Sequence, residues 1–178
     1  QEKATAKPLE LGHKVLIEAA KLAKESIVVT DVGQHQMWTA QYYPIEKPRT
    51  FCTSGGLGTM GYGLGAAIGA AKATGKHVIL VTGDGCFNMN LNELSTAVTH
   101  ELPITILLMN NHALGMVRQW QKLFYGNRFS QTDVRKRTDY VRFAESFGAV
   151  GLAIEKDEDI VPVPTTAAAT PTPHLVDC

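Results

Sequence analysis

The chain has 178 residues, and its 17 basic and 17 acidic side chains give a formal net charge of zero. This balance lacks the positive surplus that nucleic-acid scaffolds and polybasic membrane binders need, so we expect neither kind of partner. With 44% hydrophobic residues and no apolar run long enough to cross a bilayer, the composition predicts a globular domain. Three widely spaced cysteines and an amino-terminal stretch without an apolar core predict a reducing, cytoplasmic location.

The predicted elements alternate between helices and strands. In chain order they are a helix at 9–24, a strand at 27–31, a helix at 35–43, a strand at 49–53, a helix at 61–74, a strand at 77–82, a helix at 91–100, a strand at 104–110, helices at 114–124 and 139–147, and a strand at 150–154. Such strands, many of them apolar throughout, predict a doubly wound α/β fold with a mostly parallel sheet and helices on both faces. Ligands of such folds bind outside the carboxyl ends of the strands.

The carboxyl-terminal part differs in composition from the rest. Residues 160–173 are rich in Pro, Thr and Ala and contain four of the eight prolines, which predicts that no helix forms there. Residues 174–177 are predicted to be a last strand. We expect residues 1–154 to form the body of one domain, and residues 155–178 to add this segment and a final strand. The chain then stops before the expected architecture is complete.

Ten of the sixteen glycines lie between residues 55 and 85, and residues 56–61 match the pattern G-x-G-x-x-G. Asp84 follows 23 residues after this run, a spacing near that of nicotinamide-binding domains. Two features disfavour that interpretation. The preceding strand is short, and glycines flank Asp84 on both sides, as suits close approach of a backbone to a bulky ligand. NAD binding and plain helix–sheet packing remain alternative explanations of these glycines.

A second pattern combines a carboxylate with an amide. Asp84 ends one apolar strand, and Asn111 follows the next strand 27 residues later, with one helix between them. The carboxyl ends of neighbouring parallel strands share an edge, so these two side chains should lie side by side. Such hard oxygen ligands predict a Mg²⁺ site that is completed by phosphate oxygens and water. Asn90 and Glu93 have the N-cap and N3 residue types of a helix start, which would place a helix's positive end nearby.

The combination Gly83-Asp84-Gly85, followed about 26 residues later by Asn110-Asn111, resembles the thiamine diphosphate and Mg²⁺ signature. Three further runs narrow the resemblance to the acetolactate synthase family. They are GQHQMW at 33–38, SGGLGTMGYGL at 54–64 and LGMVRQW at 114–120. The resemblance covers about residues 9–154 but only one of the three domains of that family's catalytic subunit. It makes residues 1–154 the thiamine diphosphate- and Mg²⁺-binding part of the domain.

The resemblance implies a role for individual residues. The Mg²⁺ ligands would be the side chains of Asp84 and Asn111 and the carbonyl of Ala113. Met60 would bend the cofactor into a V shape, with its carbonyl near the aminopyrimidine amine and with Gly58 close by. Trp120 would face the substrate pocket. The diphosphate would be lined by Gly33, Gln34, His35, Gly85, Cys86, Gly115 and Met116.

The activity implied by the resemblance is decarboxylation of pyruvate and condensation of the product with a second 2-oxo acid, in branched-chain amino acid biosynthesis. In this family the glutamate that activates the cofactor comes from another domain, on a partner subunit. Nothing in this chain takes that role, and the flavin-binding middle domain is absent too. We therefore expect a cofactor-binding part that has no catalytic residue of its own and depends on a glutamate-supplying domain or subunit.

Two further expectations follow from the missing domains. Surface that those domains would cover is left exposed, which favours a homo-oligomer. The family has a helix where residues 160–173 lie, so the proline-rich segment departs from the family pattern. An alternative within the same superfamily is a separate diphosphate-binding subunit of another 2-oxo acid decarboxylase or oxidoreductase.

Overall fold

A computed structural model describes residues 10–134, 138–168 and 170–178. In chain order its elements are α1 (Leu11–Leu22), β1 (Ile27–Thr30), α2 (Gln34–Tyr42), β2 (Phe51–Thr53), α3 (Tyr62–Thr74), β3 (Val78–Gly83), α4 (Asp84–Asn90), α5 (Leu94–Thr99), β4 (Ile104–Met109), α6 (Gly115–Phe124), α7 (Tyr140–Ser146), β5 (Val150–Ala153), α8 (Pro162–Ala168) and β6 (His174–Asp177). All six predicted strands are present. The predicted helices are present too, with the changes described below; the predicted start of the first, at residue 9, lies outside the described residues.

The six strands form one sheet in the order β2-β1-β3-β4-β6-β5, and every neighbouring pair is parallel. Alternate residues of each strand point to opposite faces of the sheet. Val29 and Leu80 pack on one face with α3, α4, α5 and α7, whereas Val28 and Val81 pack on the other with α1, α2 and α8. This arrangement confirms the predicted α/β fold with helices on both faces.

The prediction that no helix forms in residues 160–173 is wrong, because α8 occupies Pro162–Ala168. Pro162 and Pro164 lie in the first turn of this helix, where the backbone N–H groups have no acceptor within the helix. Pro171 and Pro173 follow the end of the helix and do not interrupt it. The buried Ala167 joins the core beside α1. The helix forms because of where its prolines lie, whatever their number in the segment.

The segment after β3 also differs from the prediction of a helix over 91–100. A helix already begins at Asp84, a 3₁₀ turn follows at Leu91–Glu93, and α5 then covers Leu94–Thr99. Asn90 makes no capping bond; its side chain instead donates to the carbonyl of Gly61. The buried Phe87 packs into the core and stabilises α4, even though Gly85 within this helix has a low helix propensity.

The helix α6 is unusual because none of its residues is buried. Its exposed apolar side chains include Val117, Trp120, Leu123 and Phe124. Within the described ranges, no helix combines the length and the apolar character needed to cross a bilayer. The exposed apolar side chains of α6 form a patch, and such patches are typical of surfaces that contact another protein.

A glycine in the interior of α3 gives a simple stability prediction. A Cβ added at Gly69 meets no atom within 4 Å, so an alanine fits there without a clash. Because alanine loses less conformational freedom than glycine on entering a helix, Gly69→Ala should raise the free energy of unfolding by roughly 0.5–1 kcal/mol. Urea denaturation of both proteins measures this difference. A destabilised variant would show that this face of α3 is covered.

Candidate functional site

A cavity of about 200 Å³ opens at the carboxyl edge of the sheet. The chain leaves β1 toward α2 on one face and leaves β3 toward α4 on the other, and such a switch point is where α/β folds bind ligands. All twelve predicted cofactor and metal residues line this one cavity: Gly33, Gln34, His35, Gly58, Met60, Asp84, Gly85, Cys86, Asn111, Ala113, Gly115 and Met116. The structure thus brings these residues together, while the role of each stays a prediction.

The two predicted metal-binding side chains follow adjacent strands. Gly83 pairs with Met109 in the parallel ladder, so Asp84 and Asn111 emerge at the same edge. The amide oxygen of Asn111 accepts a hydrogen bond from the backbone N–H of Ala113 at 3.0 Å, and its amide nitrogen donates to Gln34 Oε1 at 3.4 Å. These bonds fold the Asn111–Ala113 turn against the start of α2.

The surroundings of Asp84 fit a bound cation. This carboxyl is 3% exposed, and burial raises its pKa; the backbone N–H of Gly85 and the charge of His112 oppose that shift. A divalent cation would stabilise the ionised form. In the described part of the chain no three His, Cys, Asp or Glu side chains converge as metal ligands. One carboxylate with neutral oxygens leaves positions for phosphate oxygens and water, which is the usual coordination of Mg²⁺ by proteins that bind it with a phosphorylated ligand.

Glycine backbone forms much of the cavity wall, and side chains there would fill it. A Cβ at Gly115 would lie 2.1 Å from Gln34 Oε1, and one at Gly85 would lie 2.9 Å from Leu114 Cδ2. The helices α2, α4 and α6 all begin at this wall. Helix starts carry unpaired N–H groups and partial positive charge, so the wall suits an anion such as a diphosphate.

His35 supplies a buried polar atom with an unmet hydrogen-bonding capacity. The ring packs so closely on Gly33 and Gly83 that a Cβ at either would lie within 3.0 Å of it. Burial lowers the pKa of His35 to about 4, although the backbone carbonyl of Asp31 partly opposes the shift. Its Nε2 is buried and has no hydrogen-bond partner among the described residues. Buried polar atoms are nearly always paired, so this nitrogen in the cavity wall fits a ligand that pairs with it.

Cys86 lines the cavity as an unreactive thiol. Its Sγ donates to the carbonyl of Val32 at 3.1 Å, and burial raises its pKa to about 12. Because the thiolate is the reactive form, Cys86 is not a nucleophile at neutral pH.

Asp31, which follows β1, is a functional residue that was not among the predicted site residues. This carboxylate is 1% exposed and accepts hydrogen bonds from the Gly61 N–H at 2.8 Å and from Thr82 Oγ1 at 3.1 Å. It thereby fastens residues 54–61, the loop that brings Gly58 and Met60 to the cavity. An acidic residue directly after a buried strand was the available signal. Its partner lies 30 residues away, so the sequence alone did not identify the contact.

The G-x-G-x-x-G run lies in this same loop, after the edge strand β2. Within the run, Leu57 is 95% exposed, while Gly58 and Met60 line the cavity. A dinucleotide fingerprint instead follows a central strand and presents its glycines to a pyrophosphate. The position of the run therefore argues against the nicotinamide interpretation.

Trp120 lies outside the cofactor cavity. It is 58% exposed and lines an adjoining groove of about 520 Å³ together with Tyr125. Met116 and Val117 line both spaces, so the groove adjoins the cavity. This position is compatible with the predicted contact between Trp120 and a substrate beside the cofactor.

The buried histidines make stability depend on pH. Because the pKa of His35 in the folded chain lies below its ordinary value of about 6.5, the unfolded chain binds more protons between pH 6.5 and 4. The stabilisation is therefore complete above pH 6.5 and is lost as the pH falls toward 4. Between pH 7.5 and 5 we expect His35 to cost about 2 kcal/mol of unfolding free energy. Burial also lowers the pKa values of His77 and His174, which add to the loss.

Urea denaturation at pH 7.5 and pH 5 measures this loss. His35→Gln should be clearly less sensitive to pH, whereas the same change at the exposed His100 should leave the pH dependence intact. Asp31 and Asp84, whose pKa values are raised by burial, act in the opposite direction as the pH falls further, so the comparison does not go below pH 5. Equal pH dependence in all three proteins would contradict the assignment to His35.

Comparison with known proteins is consistent with this site. Residues 31–178 match the family described as thiamine pyrophosphate enzyme, C-terminal TPP binding domain. The chain is 49% identical over 150 residues to an acetolactate synthase of Mycobacterium bovis, covering 82% of this chain and 24% of that protein. It is 49% identical over 137 residues to acetolactate synthase isozyme 3 large subunit of Escherichia coli, covering 76% and 24%. The acetolactate synthase large subunit of Cyanidium caldarium is 43% identical over 181 residues, and the match covers 96% of this chain and 31% of that protein.

These matches confirm the resemblance to acetolactate synthase large subunits. The chain spans about a quarter of the length of the Mycobacterium and Escherichia proteins it matches. The family match alone covers more than four fifths of this chain. The chain therefore belongs to the thiamine pyrophosphate enzymes and carries their C-terminal TPP-binding domain.

Proposed function

We propose that this chain binds thiamine diphosphate together with Mg²⁺ and is the cofactor-binding part of an acetolactate synthase. In this proposal the complete enzyme decarboxylates pyruvate and joins the product to a second 2-oxo acid, a step of branched-chain amino acid biosynthesis. The observation that carries the proposal is the assembly of all twelve predicted cofactor and metal residues around one cavity.

The residues of this chain bind and orient the cofactor. When bound, thiamine diphosphate would supply the nucleophile for addition to the carbonyl of a 2-oxo acid and, in its cationic thiazolium ring, the sink for the electron pair left behind by departing carbon dioxide. The carboxylate of Asp84 and the oxygens of Asn111 and Ala113 would hold Mg²⁺ on the diphosphate. The glycine wall and the helix starts of α2 and α6 would bind the diphosphate oxygens. Met60 would hold the other end of the cofactor.

We propose that a separate domain or subunit supplies the activating glutamate. Among the described residues that line the cavity, Asp84 is the one carboxylate, and in this proposal it binds the metal. The buried Asp31 is fully engaged with Gly61 and Thr82. The exposed apolar face of α6, beside the cavity mouth, suits contact with such a domain, with a second copy of the chain, or with both.

We further propose where the second substrate binds and in which compartment the protein is found. The groove beside Trp120 would accept the second 2-oxo acid next to the cofactor. The cysteines Cys52, Cys86 and Cys178 are all free thiols, which supports a reducing compartment such as the cytoplasm.

A measurement of acetolactate formation tests the proposal that this chain is not a complete enzyme by itself. The purified chain with thiamine diphosphate, Mg²⁺ and pyruvate should give no more acetolactate than a sample without protein. Adding the remaining amino-terminal part of a relative, for example the Escherichia coli large subunit truncated before the matched region, should give measurable acetolactate. Activity of the chain alone would contradict the need for a second domain. In the reconstituted mixture the Asp84→Ala variant should form no acetolactate, and unchanged activity of this variant would show that Asp84 has no role.

A further inference from the structure

The backbone of Gly61 is held from both sides. Its N–H donates to Asp31 Oδ1 at 2.8 Å, and its carbonyl accepts from Asn90 Nδ2. Gly61 has a φ of +83°, which favours glycine, and a Cβ there would lie 3.1 Å from both Asn90 Nδ2 and Met89 Cβ. The two bonds connect the end of the 54–61 loop to the residue after β1 and to the last residue of α4.

The Asp31 carboxylate is itself held firmly. Its Oδ2 accepts from Thr82 Oγ1 at 3.1 Å, and a Cβ at Gly63 would lie only 2.7 Å from that oxygen. The side chain is 1% exposed, so water does not compete for its lone pairs. The direction of the Gly61 N–H is therefore set by a group that has little freedom to move.

The Gly61 N–H and the Met60 carbonyl belong to the same peptide group. The peptide bond is planar, and no cis peptide occurs among the described residues, so these two groups point in opposite directions. By binding the N–H, Asp31 sets the direction of the Met60 carbonyl on the other side of the plane. A hydrogen bond to a carboxylate also polarises the peptide group and makes its carbonyl a stronger acceptor.

We propose that Asp31 and Asn90 are positioning residues that aim the Met60 carbonyl into the cavity, as an acceptor for the amino group of the bound cofactor. Met60 lines the cavity, whereas neither Asp31 nor Asn90 does. Asp31 acts on the Met60–Gly61 peptide directly, and Asn90 acts on the next peptide by fixing the Gly61 carbonyl. This inference rests on the proposed function, because it concerns the end of thiamine diphosphate that is remote from the diphosphate.

Comparing the binding of thiamine diphosphate with that of inorganic pyrophosphate distinguishes this positioning role from a general contribution to the stability of the fold. Asn90→Asp keeps the size of the side chain but replaces the donor with an acceptor, which repels the Gly61 carbonyl. We expect it to weaken binding of thiamine diphosphate with Mg²⁺ about tenfold and to leave binding of inorganic pyrophosphate with Mg²⁺ unchanged. Asp31→Asn should show the same selective loss. The control Asn92→Asp, at an exposed amide bonded to Glu93, should bind both ligands as the unchanged chain does.

Equal weakening of both ligands in Asn90→Asp, or no weakening of either, would overturn the inference. Hydrogen exchange provides a readout that needs no ligand: exchange across 55–61 should accelerate in Asn90→Asp while exchange in β3 stays unchanged. Unaltered exchange in this loop would also overturn the inference. Binding of neither ligand by the unchanged chain would contradict the proposed function and the inference that rests on it, whereas normal binding by the unchanged chain without a selective loss in Asn90→Asp would contradict the inference alone.

Discussion

Asp84→Asn should weaken binding of thiamine diphosphate in the presence of Mg²⁺ by at least about 100-fold. The variant removes the charged ligand from a buried site, and removing one partner of a buried ion pair costs several kcal/mol. The same change should raise the Tm of the ligand-free chain by about 2 °C, because burial raises the pKa of Asp84 and so disfavours its charge. Calorimetric titration and thermal unfolding measure the two effects.

Opposite signs for binding and stability distinguish a ligand-binding carboxylate from a structural one. The matched control is Asp177→Asn, because Asp177 also lies at the carboxyl end of a strand and its pKa is also raised by burial. It does not line the cavity, so its loss should change affinity by less than about twofold. Unchanged affinity in Asp84→Asn would contradict the assignment of Asp84 as a metal ligand.

Gly115→Ala should weaken binding of thiamine diphosphate at least about tenfold. The new methyl group would lie 2.1 Å from Gln34 Oε1 and 2.9 Å from Asn111 Nδ2, so both side chains must leave their positions at the predicted metal and diphosphate site. Both clashing atoms are at the ends of flexible side chains near the surface. The free energy of unfolding should therefore stay within about 0.5 kcal/mol of its original value.

Calorimetric titration of thiamine diphosphate into Gly115→Ala and into Gly69→Ala separates the effect of the position on affinity from the effect of adding a methyl group. The second variant adds the same methyl group to open space on α3, so its affinity for the cofactor should not change. If Gly115→Ala bound the cofactor as tightly as Gly69→Ala, the close contact among Gly115, Gln34 and Asn111 would not belong to the binding site.

The sheet and the cavity could be predicted from the sequence because their signals are local. Apolar runs such as 104–109 mark buried parallel strands, and the residues that follow them must meet at one edge. Asp84 and Asn111 could be placed together by counting one helix between two strands. The predicted diphosphate residues and Met60 depended on the resemblance to a known family.

The remaining features depend on contacts that local patterns do not encode. The helix α8 was missed because a count of prolines ignores the fact that the first helical turn tolerates them. Asn90 has the residue type of a helix cap, but the Gly61 carbonyl, 29 residues away along the chain, is its actual partner. The role of Asp31 likewise depends on burial and on a partner in another loop. Such long-range hydrogen bonds follow from the packing of the folded chain.

Calorimetric titration of thiamine diphosphate into the chain, with Mg²⁺ and then with EDTA, tests whether this chain binds the cofactor through a metal ion. We expect binding in Mg²⁺ that is lost in EDTA and lost in Asp84→Ala. Titration of NADH under the same conditions is the matched comparison and should show no binding. Binding of NADH that is indifferent to EDTA, with no binding of thiamine diphosphate, would contradict the proposal that this chain binds thiamine diphosphate with Mg²⁺.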